Sequence, residues 1–198
     1  MAKYVSVVGN GPSPAGQGWG AEIDGADTVI RLHDCHYQTD TADYGTRYDH
    51  GVLPGPWVHQ AVSQLKRWPD CRWWYVYHFG TLPDVPEVGP LQNVFVNLET
   101  LNREVAKRGR TPSCRVASLS RGFCALMIAH GFGRPVVAFG FDALATEGRD
   151  GWDNPAAYNA MVKRDMAMSR IYNSGAINHD AAYENHLVKK LLPGVTFK

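Results

Sequence analysis

A short apolar strand that runs directly into a glycine-rich turn constrains this chain more than any other feature. Val5, Val7 and Val8 supply the β-branched pattern of a buried central strand. The next five residues, GNGPS at positions 9–13, form a turn whose backbone can approach a ligand closely. A turn of this kind is typical of phosphate sites, where backbone amides face an anion, but a tight surface turn has the same composition.

Four residues of this turn are candidate nucleotide contacts. Gly9 and Gly11 let the backbone of the turn approach a ligand closely, and we expect the free backbone amides of the turn to face a phosphate. Asn10 and Ser13 carry side chains that can add hydrogen bonds to the same group.

Apolar runs alternate with helical stretches along the chain, which is the pattern of an α/β layered domain. The predicted strands are residues 4–8, 28–32, 73–77, 94–96 and 136–139. The predicted helices are residues 98–107, 120–129, 155–170 and 181–192. A length of 198 residues suits one domain, 1–198, with a Rossmann-like, mostly parallel central sheet flanked by helices.

Charge and composition exclude several kinds of partner. Lys and Arg number 20 against 19 Asp and Glu, for a formal net charge of +1, so the chain has no large positive field to hold nucleic acid or an anionic membrane. No apolar run approaches the roughly 20 residues of a membrane span, and residues 1–4 lead into a strand without a signal peptide. We therefore expect a soluble, cytoplasmic protein without a transmembrane segment.

Cysteine and histidine spacing does not predict a metal site. The four cysteines form no CxxC pair, and disulfides are not indicated. The HDCH run at residues 33–36, with His50 nearby, has poor spacing for zinc because adjacent side chains at a strand end point to alternating faces.

Three segments, in this order along the chain, resemble the sialyltransferases. VVGNGPS at residues 7–13 is similar to the start of the bacterial enzymes, and residues 16–32 with DYGTRYDH at 43–50 resemble the large sialylmotif of the animal ones. LSRGFCALMIAHGFGRPVVAFGFD at residues 119–142 resembles the small sialylmotif. HDAAYE at residues 179–184 has the histidine, four intervening residues and glutamate of the short C-terminal motif. Their common order makes the match more specific than any one segment.

The resemblance implies an inverting transfer of an acidic sugar from its CMP-activated donor to a hydroxyl of a glycan or glycolipid acceptor, without a metal or other cofactor, on a GT-A-like variant of the Rossmann-like fold. His179 is then the catalytic base. Its place just ahead of a predicted helix start favours a neutral imidazole that can accept a proton. Glu184 has three alternative roles: it orients that end of the helix, it contacts the acceptor, or it is a solvated acidic residue in the first turns of the helix. Tyr158, or alternatively Tyr172, is expected to assist the leaving group.

The nucleotide-binding turn of the small motif corresponds to Ser120, Arg121 and Gly122. Arg121 stands where the family usually has a small hydroxyl residue, and its guanidinium can pair with a phosphate or a sugar carboxylate or lie on the surface. His33 stands where the family has an asparagine that contacts the donor. This exchange alters size and charge, so the donor sugar is expected to be sialic acid or Kdo, another CMP-linked acidic sugar.

Other functions stay open at this point. A CMP-sugar hydrolase would use the same residues with water as the acceptor. A non-catalytic cytidine-nucleotide-binding module is a further alternative, because the family's acceptor-side motif with His, Tyr and Glu is not recognisable. A dinucleotide-dependent oxidoreductase is less favoured, since GNGPSPAG lacks the third glycine of GxGxxG at its required place.

Overall fold

The computed structural model describes residues 3–11, 13–32, 40–54, 70–77, 92–95, 120–141 and 181–198. The strands are β1 Val5–Val8, β2 Thr28–Leu32, β3 His50–Pro54, β4 Arg72–Tyr77, β5 Gln92–Phe95, β6 Val136–Phe139 and β7 Val195–Phe197. The helices are α1 Gly20–Asp24, α2 Thr41–Tyr44, α3 Arg121–His130 and α4 Ala181–Leu191.

The described strands form one sheet of seven, in the order β5-β4-β3-β2-β1-β6-β7. Every neighbouring pair is parallel. Parallel strands need crossover connections, and an all-parallel sheet of this kind occurs almost only in α/β proteins with helices on its faces. The predicted Rossmann-like α/β class is confirmed.

The valines of β1 are buried on both faces of the sheet because this strand lies between two neighbours and two helical layers. Val5 and Val7 belong to the core cluster that includes α3 and α4. Val8 belongs to the opposite cluster, which contains Ile23 of α1. All three valines are fully buried. A continuous apolar run is what a strand covered on both faces requires.

Helix α3 packs its apolar side against the sheet, as its sequence indicates. Phe123, Cys124 and Leu126 are completely buried, and burial raises the pKa of the Cys124 thiol far above its ordinary value. Ser120 precedes the helix, and its side-chain oxygen accepts a hydrogen bond from the Phe123 amide at 3.1 Å. This N-cap fixes where the helix begins.

Four elements of the structure are not predicted by the sequence pattern. Strand β3 reads HGVLP, and its glycine and proline are residues that normally interrupt a strand. Strand β7 has only three residues, while α1 and α2 have five and four, so none of them is long enough to show a period. The predicted helices at 98–107 and 155–170 lie outside the described residues.

The two described cysteines, Cys71 and Cys124, are buried thiols outside any disulfide. In the same parts of the chain, no helix combines the length and apolar character needed to cross a bilayer.

Candidate functional site

The order of the strands places the topological switch point of the sheet between β1 and β6. Strand β1 pairs with β2 on one side and with β6 on the other. Strands β2 to β5 follow one another on the first side and β6 and β7 on the second, so the strand order reverses between β1 and β6. In open parallel sheets, ligands bind outside the carboxyl ends of the strands at such a switch point. The 9–13 turn leaves β1 at this edge, and Gly140 and Phe141 follow β6 at the same edge.

The turns after β1 and β6 are joined by backbone hydrogen bonds. The Gly9 amide donates to the Phe139 carbonyl at 2.8 Å, and the Gly11 amide donates to the Gly140 carbonyl at 2.9 Å. A side chain at Gly9 would overlap the Gly140 carbonyl oxygen, so only glycine permits this approach. The amides of Gly9 and Gly11 therefore hold the turn against β6 and do not face an anion, while a phosphate contact of the turn through its other groups stays a prediction.

Two polar side chains of the turn remain accessible. Asn10 is exposed and Ser13 is partly exposed. The Ser13 hydroxyl lies 3.4 Å from the backbone carbonyl oxygen of Lys198, the residue that follows β7. These side chains are available to a ligand at the carboxyl edge of the sheet.

The turn before α3 is tied to α4 through Glu184. The carboxylate of Glu184 accepts from the Ser120 amide and from the Ser120 hydroxyl, both at 2.5 Å. Only 1% of Glu184 is exposed. A buried carboxylate needs such partners, since an unpaired buried charge is strongly unfavourable. The structure therefore brings Glu184 of α4 into contact with Ser120, the residue that precedes α3.

Phe141 lies between the two glycine turns. A Cβ atom placed on Gly9 would be 3.1 Å from one edge of the Phe141 ring, and a Cβ atom on Gly122 would be 3.0 Å from another. Phe141 itself is buried, with 6% of its surface exposed. Both turns therefore pack on the same ring, and residues far apart in sequence meet at one edge of the sheet.

The segment after the glycine turn is shaped by Asp43 of α2. Its carboxylate accepts from the Gly16 amide at 2.5 Å and from the Gly18 amide at 2.8 Å. These hydrogen bonds, with the Gly16 amide contributing most, lower the pKa of Asp43 below its ordinary value. Gly16 and Gly18 both have positive φ angles, 74° and 69°, which glycine adopts without strain. The loop conformation is therefore set by two glycines and one carboxylate.

Arg31 of β2 holds the backbone of the segment that follows Asp43. It is 3% exposed, and its guanidinium donates to the carbonyls of Tyr44 and Arg47 at 2.7 Å each. The Tyr44 hydroxyl lies 3.4 Å from the Gly11 carbonyl oxygen. Arg31 thus connects β2 to the segment that contacts the glycine turn, a role that the sequence resemblance does not reveal.

Eight of the predicted site residues are described by the structure. These are Gly9, Asn10, Gly11, Ser13, Ser120, Arg121, Gly122 and Glu184. They occupy the two turns and the helix α4 that contacts the second turn. Arg121 is the first residue of α3 and is partly exposed. The predicted residues His33, Tyr158 and His179, and the alternative Tyr172, lie outside the described residues.

A metal centre finds no support in the described parts of the chain, which contain no group of three or more His, Cys, Asp or Glu side chains placed to hold a metal ion. His50 begins β3, and its Nδ1 accepts a hydrogen bond from the Trp74 indole at 2.9 Å. That nitrogen is already used within the fold.

Comparison with known proteins gives two kinds of result. No protein-family model matches the chain, and no curated protein sequence matches it. The structure is similar to a crystal structure of a mammalian sialyltransferase, with a TM-score of 0.55, 14% identity, and coverage of 100% of this chain and 69% of that one. A mammalian sialyltransferase in complex with Gal-beta-1-3GalNAc-ortho-nitrophenol gives a TM-score of 0.51 at the same identity and coverage. The chain therefore has a sialyltransferase-like fold.

Proposed function

We propose that this chain is a CMP-sugar-dependent glycosyltransferase that moves an acidic sugar to a glycan or glycolipid hydroxyl. The observation that carries the proposal is the meeting of the two motif turns on Phe141 at the carboxyl edge of β1 and β6. A Rossmann-like sheet binds nucleotides at this edge. The sialyltransferase-like fold and the order of the three sequence motifs support the same donor class.

The proposed reaction is a single displacement. The base, His179, takes the proton from the acceptor hydroxyl, and the acceptor oxygen then forms a bond to the anomeric carbon of the sugar. The bond from that carbon to the phosphate oxygen breaks, and CMP leaves with the electron pair. His179 comes five positions before Glu184 in the sequence, and Glu184 is bound to Ser120. This connection supports a base on the side of the small-motif turn.

Stabilisation of the leaving phosphate falls to fixed dipoles and cations. Arg121 at the start of α3 has the planar guanidinium that suits a phosphate or a sugar carboxylate. Asn10 and Ser13 supply accessible polar groups on the other turn. Tyr158 is the proposed hydroxyl donor to the leaving group, and His33 is proposed to distinguish the donor sugar, with sialic acid and Kdo as candidates.

Ligand-induced thermal stabilisation tests the donor class. We expect CMP to raise the Tm more than CDP, UMP, AMP or NAD, since at equal concentration a ligand that binds only the folded state stabilises it more the lower its Kd is. Equal shifts for all five nucleotides, or no shift with any, would contradict the proposal.

Product analysis with CMP-sialic acid and CMP-Kdo then tests the chemistry. Transfer predicts a glycoside whose formation requires an added glycan acceptor, whereas hydrolysis releases free sugar at the same rate with or without acceptor. His179→Ala is expected to retain CMP binding and to lose turnover by at least about 100-fold, the contribution typical of a general base. A parent protein that binds CMP and turns over neither donor would instead be a nucleotide-binding module.

A further inference from the structure

Strand β7 places Lys198 at the carboxyl ends of the strands, where the 9–13 turn also lies. Because β7 runs parallel to β6, its final residues emerge beside the carboxyl end of β6. The Lys198 amide donates to the Ala138 carbonyl at 2.9 Å and so extends this pairing by one residue. The Lys198 carbonyl lies 3.4 Å from the Ser13 hydroxyl. Lys198 is therefore a neighbour of the 9–13 turn, although 185 positions separate it from Ser13.

The ammonium group of Lys198 lies over an aromatic surface. Its Nζ is 5.9 Å from the ring centroid of Trp19 and 5.9 Å from that of Phe139. The two rings are themselves in contact, with centroids 5.7 Å apart. A cation over aromatic faces is attracted by their electron density. The carbonyl of Phe139 accepts from the Gly9 amide, which places this aromatic surface next to the glycine turn.

In the parts of the chain that the structure describes, the Glu22 carboxylate pairs with this cation. Lys198 Nζ is 2.5 Å from Glu22 Oε1, and the two side chains are 35% and 39% exposed. An ion pair this exposed contributes little to stability, because water and salt screen it. The flexible four-carbon stem of lysine allows its charge to exchange one anionic partner for another.

We propose that Lys198 is a binding residue for the anionic donor, and that it exchanges Glu22 for the phosphate of the CMP-sugar. The inference rests on the proposed function. The amides of Gly9 and Gly11 are used to hold the turn against β6, so a cationic side chain beside the turn adds an attraction for an anion that these two donors do not supply. Lys198 supplies it from the strand end adjacent to Ser13.

Opposite effects of two substitutions on CMP binding distinguish this role from a structural ion pair. Lys198→Met keeps the stem over the rings and removes the charge, and we expect the Kd for CMP to rise about threefold, as for one exposed charge pair. Glu22→Gln removes the competing carboxylate, and we expect the Kd to fall about twofold. If the ion pair served only the fold, both substitutions would break it and would change CMP binding in the same direction.

The matched control is Lys3→Ala. Lys3 also pairs with a carboxylate, that of Asp27, at 4.0 Å. It precedes β1 and so lies near the amino ends of the strands, whereas the 9–13 turn lies at their carboxyl ends. The Lys3→Ala substitution changes the net charge by the same amount as Lys198→Met, and we expect no change in the Kd for CMP. Lys198→Arg is expected to restore binding. Raising the salt from 0.05 to 0.5 M, roughly a threefold shorter Debye length, is expected to reduce the difference between Lys198→Met and the parent.

Isothermal titration with CMP, alongside the Tm of each variant without ligand, decides the outcome. If the parent binds CMP and the two substitutions act in the same direction, or neither acts, the role of Lys198 is wrong and the proposed function stands. If the parent binds no CMP, both fail. Opposite changes in Kd, with Tm values near that of the parent, support the role of Lys198.

Discussion

The contact between Glu184 and Ser120 joins α4 to the start of α3 by hydrogen bonds, and its removal should weaken the fold measurably. In the Glu184→Ala variant, the Ser120 amide and hydroxyl each lose a charged acceptor at 2.5 Å. The residue is 1% exposed, so water cannot replace the carboxylate without a rearrangement of the two helices.

The magnitude follows from these two hydrogen bonds. A hydrogen bond to a charged group contributes about 1.5–3 kcal/mol, and the loss of one partner from a buried, charged contact typically costs about 3–5 kcal/mol. We therefore expect Glu184→Ala to lower the free energy of unfolding by about 4 kcal/mol, or roughly 12 °C in Tm for a domain of this size. Glu184→Gln keeps one carbonyl oxygen as an acceptor for the Ser120 amide, and we expect a loss of about 1–2 kcal/mol.

Urea unfolding followed by tryptophan fluorescence measures these differences, with Asp70→Ala as a control that removes an exposed carboxylate and should change stability by less than about 0.5 kcal/mol. The double-mutant cycle of Glu184→Gln with Ser120→Ala should show a coupling energy of at least about 1 kcal/mol, since the two side chains are in direct contact. A Glu184→Ala variant as stable as the Asp70→Ala control would refute this reasoning.

Three further outcomes are expected. Gly9→Ala forces a Cβ atom onto a backbone carbonyl and should cost at least about 2 kcal/mol in urea unfolding, whereas Gly131→Ala, whose Cβ would meet its nearest atom at 3.2 Å, should cost less than about 1 kcal/mol. Burial lowers the pKa of His50 from 6.5, so the unfolded chain takes up a proton that the folded protein does not, and stability should be full above pH 6.5 and fall as the pH drops below it. His50→Gln keeps an acceptor for the Trp74 indole, and chemical unfolding between pH 8 and pH 5 should show that this part of the pH dependence is gone; an unchanged slope would contradict the assignment. Arg31→Met removes two hydrogen bonds from a buried guanidinium to backbone carbonyls and should lower the free energy of unfolding by about 2–4 kcal/mol; a loss below about 1 kcal/mol would show that the loop is held by other contacts.

Local patterns in the sequence predict the parts of the fold that depend on local physics. The valines of β1 need a position covered on both faces, and the apolar run after Ser120 needs a helix packed on a sheet; both predictions are confirmed. The bounds of β2 and β6 agree with the sequence pattern because each is a short, mostly apolar run between turn residues. Strand β3 has no such pattern, because it contains a glycine and a proline. Its pairing with β2 on one side and β4 on the other makes it a strand.

The candidate site also has features that the sequence predicts and contacts that only the tertiary structure reveals. The sequence by itself determined which turns are glycine-rich, where α3 begins, and which motifs occur in which order, because each of these depends on residues close together in the chain. Only the tertiary structure decided that Gly9 and Gly122 pack on Phe141, that Glu184 binds Ser120, and that Lys198 lies beside Ser13. These contacts join residues as many as 185 positions apart, and their geometry depends on the order of the parallel strands, which no local pattern encodes.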